Sequence, residues 1–463
     1  MNYKKKKLAS INPAIDKIVY EVNMDSYEEI QSKLELSLET YHQYWKETNF
    51  EQRADLLNKV AQEMLQNIDE YAMPMTLEMG KPIKEARGEV KKSAWCAQHY
   101  AKNAKEYLKT DYIKSDATCS YVQYLPLGPT LGILPWNAPF WLAFRYIAPA
   151  LMAGNTCVMK HDSHTPKCAA SILMAFQRAG AKEGILQNLK IDHRFIEPVM
   201  RNPIIKAISF TGSVAAGSRI GAIAGSEIKP CVLELGGSDP SIVLSDADLE
   251  EAADVLVLSR IINAGQSCIA AKRIIVEEPV YEKFLEMLKA RFAKLKMGDP
   301  TDENTDIGPI ARKNLLEEIH MQVQKTVDAG AKLMLGGKMQ EGKGFFYPVT
   351  LLADVTPDMV CGHEETFGPI GVVIKAKDEN EALKISNDTE FGLGASVWTN
   401  AKKGEEIARK MVAGQVSVNG IVKTDPRLPS GGVKKSGLGR ELGPHGIKMF
   451  VNVQQIWIGP KKD

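Results

Sequence analysis

The sequence lacks a surplus of charge of either sign and any long apolar run. Its 463 residues contain 58 Lys and Arg against 57 Asp and Glu, for a formal net charge of +1. This balance provides no broad positive field for a polyphosphate backbone, which argues against nucleic acid as a partner. No stretch approaches the ~18 apolar residues of a membrane span, and no signal-peptide core follows the basic N-terminus. We expect a cytoplasmic protein without a membrane partner, and we interpret Lys4 to Lys7 as a solvated leader.

Closely spaced cysteines are also absent. The seven cysteines lie far apart, at positions 96, 119, 157, 168, 231, 268 and 361, and include no C-x-x-C pair. Neither a disulfide framework nor a zinc site has that spacing. His161 and His164 are more simply loop histidines than metal ligands. We therefore expect no metal, and a chemical role for one or two of the cysteines at most.

From about residue 130 onward, short β-branched runs alternate with segments of helical period, which is typical of β-α-β units and a mainly parallel sheet. The predicted strands are Thr130–Leu134, Thr156–Lys160, Ala207–Phe210, Cys231–Leu235, Ser241–Leu244, Arg273–Val276, Ile370–Ile374 and Val416–Val418. The predicted helices are Glu28–Thr40, Phe50–Glu70, Lys81–Lys109, Thr165–Arg178 and Leu249–Ile262. Gly/Pro-rich connections support two α/β lobes that meet near residue 235, with a ligand cleft between them.

Cys268 is the strongest candidate for chemistry. It follows Gly265 on a turn, where backbone N–H groups can point at a reacting atom. A thiol of ordinary pKa, ~8.5, is mostly protonated at neutral pH and needs local activation. A turn cysteine by itself is more often inert than catalytic, so the case depends on its neighbours.

Two other side chains strengthen this case. Glu234 ends an apolar strand, where desolvation should raise the pKa of its carboxyl toward the range of a general base. Asn137 follows another predicted strand, in a loop where its amide can donate to an oxyanion. Each has a plainer interpretation, as a buried partner or a loop amide. Together with Cys268 they supply a nucleophile, a base and an oxyanion donor for chemistry at a carbonyl.

Five motifs follow one another along the chain: Trp136-Asn137, Phe210-Thr211-Gly212-Ser213, Leu233-Glu234-Leu235-Gly236-Gly237, Gly265-Gln266-Ser267-Cys268 and Glu364-Glu365-Thr366-Phe367-Gly368-Pro369. In order and spacing they resemble the aldehyde dehydrogenase superfamily over essentially the whole chain. More narrowly, Gln266 to Arg273 and Thr424-Asp425-Pro426-Arg427 resemble the short-form bacterial succinate-semialdehyde dehydrogenases.

This resemblance implies an α/β fold with three regions. A Rossmann-like NAD(P)-binding domain would comprise residues 1–110 and 126–233, and an α/β catalytic domain residues 234–425. A small β oligomerisation arm would comprise residues 111–125 and 440–463, with a strand over Thr118 to Leu125. Members of the family exchange this arm between subunits, so the resemblance implies a homodimer or a homotetramer.

The resemblance also implies a reaction, the NAD(P)-dependent oxidation of succinate semialdehyde to succinate. The Cys268 thiolate would attack the aldehyde, and Asn137 with the Cys268 backbone N–H would hold the oxyanion. Hydride would pass to the nicotinamide, after which Glu234 would activate water to hydrolyse the thioester. Because Glu234 is present, this hydrolytic branch fits better than the branch that acylates coenzyme A.

The cofactor residues implied by the resemblance lie in several motifs. They are Trp136, Lys160, Ser163, Thr211, Gly212, Ser213, Gly217, Leu235, Glu365 and Phe367. Ser163 stands where many NAD-preferring relatives carry a Glu, so a repulsion against a 2′-phosphate is removed and NADP should be accepted, and preferred over NAD. Asp162 restores a negative charge one residue earlier. The glycines have an alternative role in plain helix–sheet packing.

Arg145 and Thr424 are the candidate substrate residues. Arg145 lies on an otherwise apolar predicted helix, where a cation is costly unless it meets an anion. The resemblance implies that it binds the distal carboxylate, and Arg145→Ala should then raise KM for succinate semialdehyde but spare hexanal. The alternative for Arg145 is a salt bridge to a nearby Asp or Glu.

Other functions left open for the protein are a broad-specificity aldehyde dehydrogenase, a thiol acyltransferase or thioesterase, and a non-catalytic binding protein.

Overall fold

The computed structural model describes residues 6–340 and 342–459. Its strands are β1 (Lys7–Asn12), β2 (Lys17–Asn23), β3 (Asp111–Tyr112), β4 (Cys119–Pro126), β5 (Thr130–Ile133), β6 (Cys157–Lys160), β7 (Leu186–Asn188), β8 (Ala207–Thr211), β9 (Cys231–Glu234), β10 (Pro240–Val243), β11 (Arg273–Glu277), β12 (Lys332–Leu335), β13 (Thr350–Ala353), β14 (Ile370–Ala376), β15 (Gly394–Trp398), β16 (Gln415–Val418), β17 (Gly437–Leu438) and β18 (Val451–Ile458). The eight predicted strands are all present, and no predicted end differs from the observed one by more than two residues.

The helices pack on the faces of the sheets. They are α1 (Tyr27–Gln43), α2 (Phe50–Gln66), α3 (Ile68–Met79), α4 (Ile83–Tyr107), α5 (Pro139–Met152), α6 (Pro166–Arg178), α7 (Ile196–Arg201), α8 (Val214–Ser226), α9 (Leu249–Ile261), α10 (Tyr281–Phe292), α11 (Lys313–Asp328), α12 (Val360–His363), α13 (Glu379–Asn387), α14 (Ala401–Ala408) and α15 (Gly443–Lys448). Within the described ranges, no helix is both long and apolar enough to cross a membrane.

Two predictions about the first hundred residues were wrong. The single helix expected over Phe50–Glu70 is two helices, α2 and α3, because Asn67 leaves the helical conformation at φ −117° and ψ 38°. The basic N-terminus is not wholly a solvated leader. Lys7 begins β1, which pairs with β2, and its ammonium lies 2.9 Å from the Glu21 carboxylate. Lys4 and Lys5 lie outside the described residues.

The first large sheet has the order β17-β9-β8-β5-β6-β7 and is parallel except for β17. The chain runs from β5 through α5 to β6 and later returns to place β8 on the other side of β5. The order of connection therefore reverses between β5 and β8. In open α/β sheets, ligands bind beyond the carboxyl ends of the strands at such a reversal. The loops after β5 and β8 are thus placed to form a binding site.

A second large sheet has the order β12-β13-β14-β11-β10-β15-β16, parallel except for β12. Its strands come from residues 332–418 and 240–277, whereas the parallel strands of the first sheet come from residues 130–234. The chain thus passes from one sheet to the other between β9 and β10, close to residue 235. This α/β architecture is the predicted fold class. The exact domain boundaries stay a prediction.

A third, antiparallel sheet has the order β18-β4-β3. Its central strand, β4, coincides closely with the predicted strand over Thr118 to Leu125, and all eight of its residues pair with β18 near the C-terminus. Large apolar side chains on the two outer strands are exposed, including Tyr112, Val453 and Trp457. The outer strands of this third sheet are therefore partly uncovered.

Candidate active site

Two cavities meet at the thiol of Cys268. The first has a volume of about 400 Å³ and the second about 320 Å³, and both are lined by Asn137, Leu142 and Cys268. Glu234 lines neither cavity and is almost completely buried at the end of β9. The structure thus brings the predicted nucleophile and amide to the junction of two cavities, with the predicted base buried nearby.

The turn before Cys268 has an unusual backbone. Asn263, Ala264 and Gly265 are consecutive left-handed residues, with φ values of 57°, 54° and 74°. A Cβ atom on Gly265 would lie 2.2 Å from the carbonyl oxygen of Gly368, so only glycine fits there. The Gln266 side chain fixes the turn, because it donates to the Asn263 carbonyl at 3.0 Å and accepts from the Ala311 N–H at 2.9 Å. The turn thus holds the thiol in a defined position.

Burial raises the pKa of the Cys268 thiol to about 11, although the cations of Lys272 and Arg145 act in the opposite direction. In this state the thiol is protonated at neutral pH. It becomes a nucleophile only when a base accepts its proton or further positive charge arrives at the site.

The loop that carries Asn137 is held by buried charges that the sequence analysis missed. The Asn137 carbonyl accepts from the ammonium of Lys81 at 3.0 Å and from the amide of Asn263 at 2.9 Å. Lys81 is itself paired with Glu89 on α4, and the Glu89 carboxylate accepts the first backbone N–H groups of α5. The Asn137 amide donates to the carbonyl of Gln266 at 3.1 Å, which places it beside the Cys268 turn. No local pattern marks Lys81 or Glu89 as partners.

Glu234 and Arg145 form a buried ion-pair cluster with Glu441. Arg145 lies 2.9 Å from the Glu234 carboxylate and 2.7 Å from that of Glu441, and it donates to Ser430 at 3.1 Å. Of the two alternatives that the sequence left open for Arg145, the structure shows the salt bridge. Burial raises the pKa of Glu234 to about 7, as predicted, although the Arg145 guanidinium opposes that rise. Such a pKa suits a general base at neutral pH.

Replacing Arg145 with alanine should therefore destabilise the fold. Two buried carboxylates would lose their counter-charge, and breaking a buried pair in this way typically costs about 3–5 kcal/mol. Chemical denaturation followed by circular dichroism measures this loss. Arg409→Ala serves as the matched control, because Arg409 pairs with Glu405 on the exposed face of α14 and should change the midpoint little. Equal midpoints for the two variants would contradict the assignment of Arg145 to this cluster.

The first cavity contains most of the predicted cofactor residues. It is lined by Trp136, Thr211, Gly212, Ser213, Leu235, Glu365 and Phe367, whereas Lys160, Ser163 and Gly217 do not line it. Ser213 caps α8, so the N-terminus of that helix faces the loop after β8. A Cβ atom on Gly217 would lie 2.3 Å from Leu235, so this glycine lets α8 pack closely against that side chain, and its cofactor role stays a prediction.

A buried lysine connects the two halves of the site. Lys272 is 1% exposed, and its ammonium lies 2.7 Å from the Glu365 carboxylate and 2.9 Å from the Cys268 carbonyl. Glu365 also accepts from the backbone N–H of Gly237 at 3.1 Å. Glu365 is therefore held in place by Lys272, which also contacts the turn of Cys268. Lys272 lies within the Gln266 to Arg273 motif, but nothing in the local sequence indicates its contact with Glu365.

In the segment after β6, Asp162 is ionised, in agreement with the negative charge noted from the sequence. That carboxylate accepts from the backbone N–H and ring of His164 at 2.8 and 2.7 Å, and this contact outweighs burial and holds the pKa of Asp162 below its usual range. The Asp162 carboxylate thus makes these hydrogen bonds with His164. The Ser163 hydroxyl has no hydrogen-bond partner within the described chain, and Lys160 is buried at the end of β6.

His161 is a structural residue. Its ring contacts the carbonyl of Pro139 at 3.0 Å and the hydroxyl of Thr165 at 3.0 Å, and burial lowers the pKa of this ring to about 4. The ring is therefore neutral and fixed between α5 and α6, the ordinary role expected from the sequence. No group of three metal-ligating side chains occurs among residues 6–340 and 342–459.

The second cavity is lined by more cations than carboxylates, since four cations stand against Glu85 and Glu89. Arg145 and Thr424, the predicted substrate residues, both line it, together with Lys81, Lys92 and Lys423. The Thr424 hydroxyl accepts from the ammonium of Lys92 and from the indole N–H of Trp141, each at 3.0 Å. This cavity is therefore suited to an anionic group on the molecule that meets Cys268.

Comparison with known proteins places this arrangement in context. The model of the aldehyde dehydrogenase family matches residues 1–456. A probable NADP⁺-dependent succinate-semialdehyde dehydrogenase of Synechocystis sp. is 46% identical over 97% of this chain and 99% of its own length. The NADP⁺-dependent succinate-semialdehyde dehydrogenase of Mycobacterium avium is 44% identical over 98% of this chain and 97% of its own.

Solved structures agree with the sequence relatives. The succinic semialdehyde dehydrogenase of Streptococcus pyogenes, in complex with NADP⁺, has a TM-score of 0.96 at 34% identity, and the match covers 98% of this chain and all of the other. An aldehyde dehydrogenase of Mycobacterium tuberculosis, in complex with NAD⁺, has a TM-score of 0.95 at 30% identity, covering 98% and 95%.

Proposed function

The chain belongs to the aldehyde dehydrogenase family, and from this premise we propose that it oxidises succinate semialdehyde to succinate with NADP⁺ as the electron acceptor. One observation carries the proposal. Cys268 lies where a cavity lined by the dinucleotide motifs meets a second cavity lined by cations. A thiol at that junction has access to both an oxidising cofactor and a carboxylate-bearing aldehyde.

The residues of the first cavity fit a nicotinamide dinucleotide. The hydroxyl of Thr211 is buried there without a hydrogen-bond partner in the described chain, and the N-terminus of α8 supplies N–H groups suited to a pyrophosphate. A Cβ atom on Gly236 would lie 2.3 Å from Glu365, so the missing side chain lets this carboxylate approach the backbone. We propose that Thr211, Ser213 and Glu365 hold the dinucleotide, which when bound supplies the acceptor for a hydride.

The reaction proceeds on Cys268. The thiol first gives its proton to water, and its sulfur then bonds to the aldehyde carbon as the carbonyl π bond opens. The amide of Asn137 with the Cys268 backbone N–H donates to the resulting oxyanion. That carbon then loses a hydride, for which the bound dinucleotide would be the acceptor, and the oxyanion re-forms the carbonyl of a thioester. Glu234 then accepts a proton from water, the water oxygen bonds to the acyl carbon, and the carbon–sulfur bond breaks to release succinate and the thiolate.

Arg145 has a supporting role in this proposal. Because its guanidinium already faces Glu234 and Glu441, it balances the charge of the base instead of selecting the substrate. Arg145→Ala is consequently expected to impair the oxidation of succinate semialdehyde and of hexanal alike. The selective rise in KM that the sequence suggested would require an Arg145 free of carboxylates.

The direct test is the appearance of reduced cofactor and of succinate when the purified protein is mixed with NADP⁺ and succinate semialdehyde. Succinate semialdehyde should be preferred to hexanal in kcat/KM, because only the former carries a group for the cations of the second cavity. Turnover of hexanal with equal efficiency would favour a broad-specificity aldehyde dehydrogenase. Thioester hydrolysis without dinucleotide binding in calorimetry would favour an acyl-transfer enzyme.

Preference for NADP⁺ over NAD⁺ should depend on Ser163. A carboxylate introduced by Ser163→Glu would face the 2′-phosphate, and like-charge repulsion should lower kcat/KM for NADP⁺ by about 10- to 100-fold while leaving NAD⁺ less affected. Ser163→Gln has the same size without the charge and serves as the control. The proposal fails if the wild-type enzyme uses NAD⁺ about tenfold better than NADP⁺.

We also propose that the arm formed by β3, β4 and β18 assembles the enzyme into a homodimer or a homotetramer. Tyr112 is 76% exposed and Trp457 is 47% exposed on its outer strands, and an uncovered apolar sheet of this kind is suited to pairing with a second copy.

All seven cysteines are free in the structure, which is consistent with the cytoplasmic location expected from the sequence.

A further inference from the structure

Four cations line the second cavity, and only one of them is both sheltered and without a carboxylate partner. Lys81 is paired with Glu89, and Arg145 is paired with Glu234 and Glu441. Lys423 is exposed to solvent. Lys92, on α4, is half-buried, and among the described residues no Asp or Glu lies within ion-pair distance of it. Lys92 is thus the one sheltered cation of the cavity without a carboxylate partner among the described residues.

The surroundings of Lys92 hold its ammonium at the cavity wall. The Nζ atom lies 3.0 Å from the Thr424 hydroxyl and 4.2 Å from the centroid of the Trp141 ring. Burial lowers the pKa of Lys92 to about 8, a shift that Arg145 reinforces and that Glu89 and Asp425 oppose. A desolvated cation of this kind is costly in free energy unless an anion binds to it.

Thr424 adds a second donor beside Lys92. A hydroxyl has two acceptor positions and one proton. The acceptor positions of Thr424 are used by Lys92 and by the indole N–H of Trp141, at 3.0 Å each. Its proton has no acceptor in the described part of the protein, so it is free to donate into the cavity. An ammonium and a hydroxyl proton side by side match the two oxygens of a carboxylate.

We infer that Lys92, assisted by the Thr424 hydroxyl, binds the distal carboxylate of the substrate and determines the selectivity for an acidic aldehyde. This inference rests on the proposed function, since it assumes a substrate with an aldehyde at one end and a carboxylate at the other. It assigns to Lys92 the role that the sequence had given to Arg145. The aldehyde end then reaches Cys268, which lines the same cavity.

Two other cations of the cavity, Arg145 and Lys423, are poorer candidates for physical reasons, and the third, Lys81, is already paired with Glu89. A substrate bound to Arg145 would have to displace two buried carboxylates, 2.7 and 2.9 Å away. A substrate bound to the exposed Lys423 would form a water-screened pair, which adds little to affinity. A substrate bound to Lys92 displaces no carboxylate, and its ion pair is more sheltered from water than one with Lys423.

The test compares Lys92→Met, Lys92→Arg, Lys423→Met and Lys91→Met. Lys91 is the adjacent, exposed lysine of α4 and serves as the matched control. For each, kcat and KM are measured with succinate semialdehyde and with butanal. Lys92→Met should lower kcat/KM for succinate semialdehyde by about 10- to 100-fold, mainly through KM, and that for butanal by less than about threefold. Lys92→Arg should retain the preference for the acid, and Lys91→Met should match the wild type.

A second readout does not depend on turnover. Succinate should raise the melting temperature of the wild-type protein, and a much smaller rise is expected for Lys92→Met, because a ligand stabilises only the protein that binds it. If Lys92→Met does not fold, as judged by circular dichroism, Lys92→Gln takes its place.

Each contrary outcome has a distinct meaning. The inference about Lys92 alone is overturned if the wild type prefers succinate semialdehyde and Lys92→Met keeps that preference, loses both substrates equally, or is less affected than Lys423→Met. A wild-type enzyme that uses butanal as well as succinate semialdehyde would instead refute the proposed substrate, and the inference with it.

Discussion

Replacing Cys268 with alanine is expected to abolish aldehyde oxidation, with kcat falling by at least about 10⁴-fold. Cys268 is the thiol at the junction of the two cavities, so no other side chain can replace it as the atom that bonds to the aldehyde carbon. The release of reduced cofactor over time, measured with succinate semialdehyde and NADP⁺, reports the loss directly.

The fold and the cofactor site should survive this change. Binding of NADP⁺ in calorimetry should remain within about threefold of the wild-type value, because the alanine removes one sulfur atom from the cavity wall. Cys119→Ala is the matched control, since Cys119 lies on β4, outside both cavities, and should leave kcat unchanged. Residual turnover above about one hundredth of the wild-type rate would show that the thiol is not the nucleophile.

Replacing Glu234 with glutamine should separate the two halves of the reaction. Hydride loss does not need the base, so about one equivalent of reduced cofactor per subunit should appear in a rapid burst. Hydrolysis of the thioester should then be slow, and the steady-state rate should fall by about 10²- to 10⁴-fold. Rapid-mixing absorbance shows both phases, and mass spectrometry should find the succinyl group on Cys268.

The pH dependence offers a further check on Glu234. Burial raises the pKa of this carboxyl to about 7, so below that pH it is protonated and cannot accept a proton from water. Thioester hydrolysis should therefore accelerate as pH rises through about 7, and Glu234→Gln should lose that inflection. Glu405→Gln, on the exposed α14, should keep it. If Glu234→Gln showed no burst of reduced cofactor and a normal steady-state rate, Glu234 would not be the base.

Much of the fold was predictable because its signals are local. The buried parallel strands are short β-branched runs, and α6 begins with Pro166 at its first turn, a favoured position for proline. Asp248 caps α9 by accepting two backbone N–H groups. In each case neighbouring residues determine the conformation, so the sequence is sufficient.

What the sequence did not reveal depends on distant contacts. Arg145 meets Glu234 and Glu441, which follow it by 89 and 296 positions, so no spacing rule connects the three. The residue between α2 and α3 is Asn67, not a proline or a glycine, so the sequence contains no strong signal for a break there. The predicted roles of the cofactor and substrate residues stay predictions, although the structure gathers most of these residues around two cavities.

The contacts of Glu441 have a consequence for the synthesis of the protein. This residue pairs with Arg145 and accepts from Ser209, while Leu438, just before it, pairs with Leu233 in the first large sheet. A chain still on the ribosome can therefore carry the nucleophile, the base and the amide, yet lack the second carboxylate that binds the Arg145 guanidinium beside the base. Domains form as they emerge during translation. Here the ion-pair cluster around the base becomes complete only when residue 441 has been made, so a chain truncated before Glu441 should not hold Glu234 in its working arrangement.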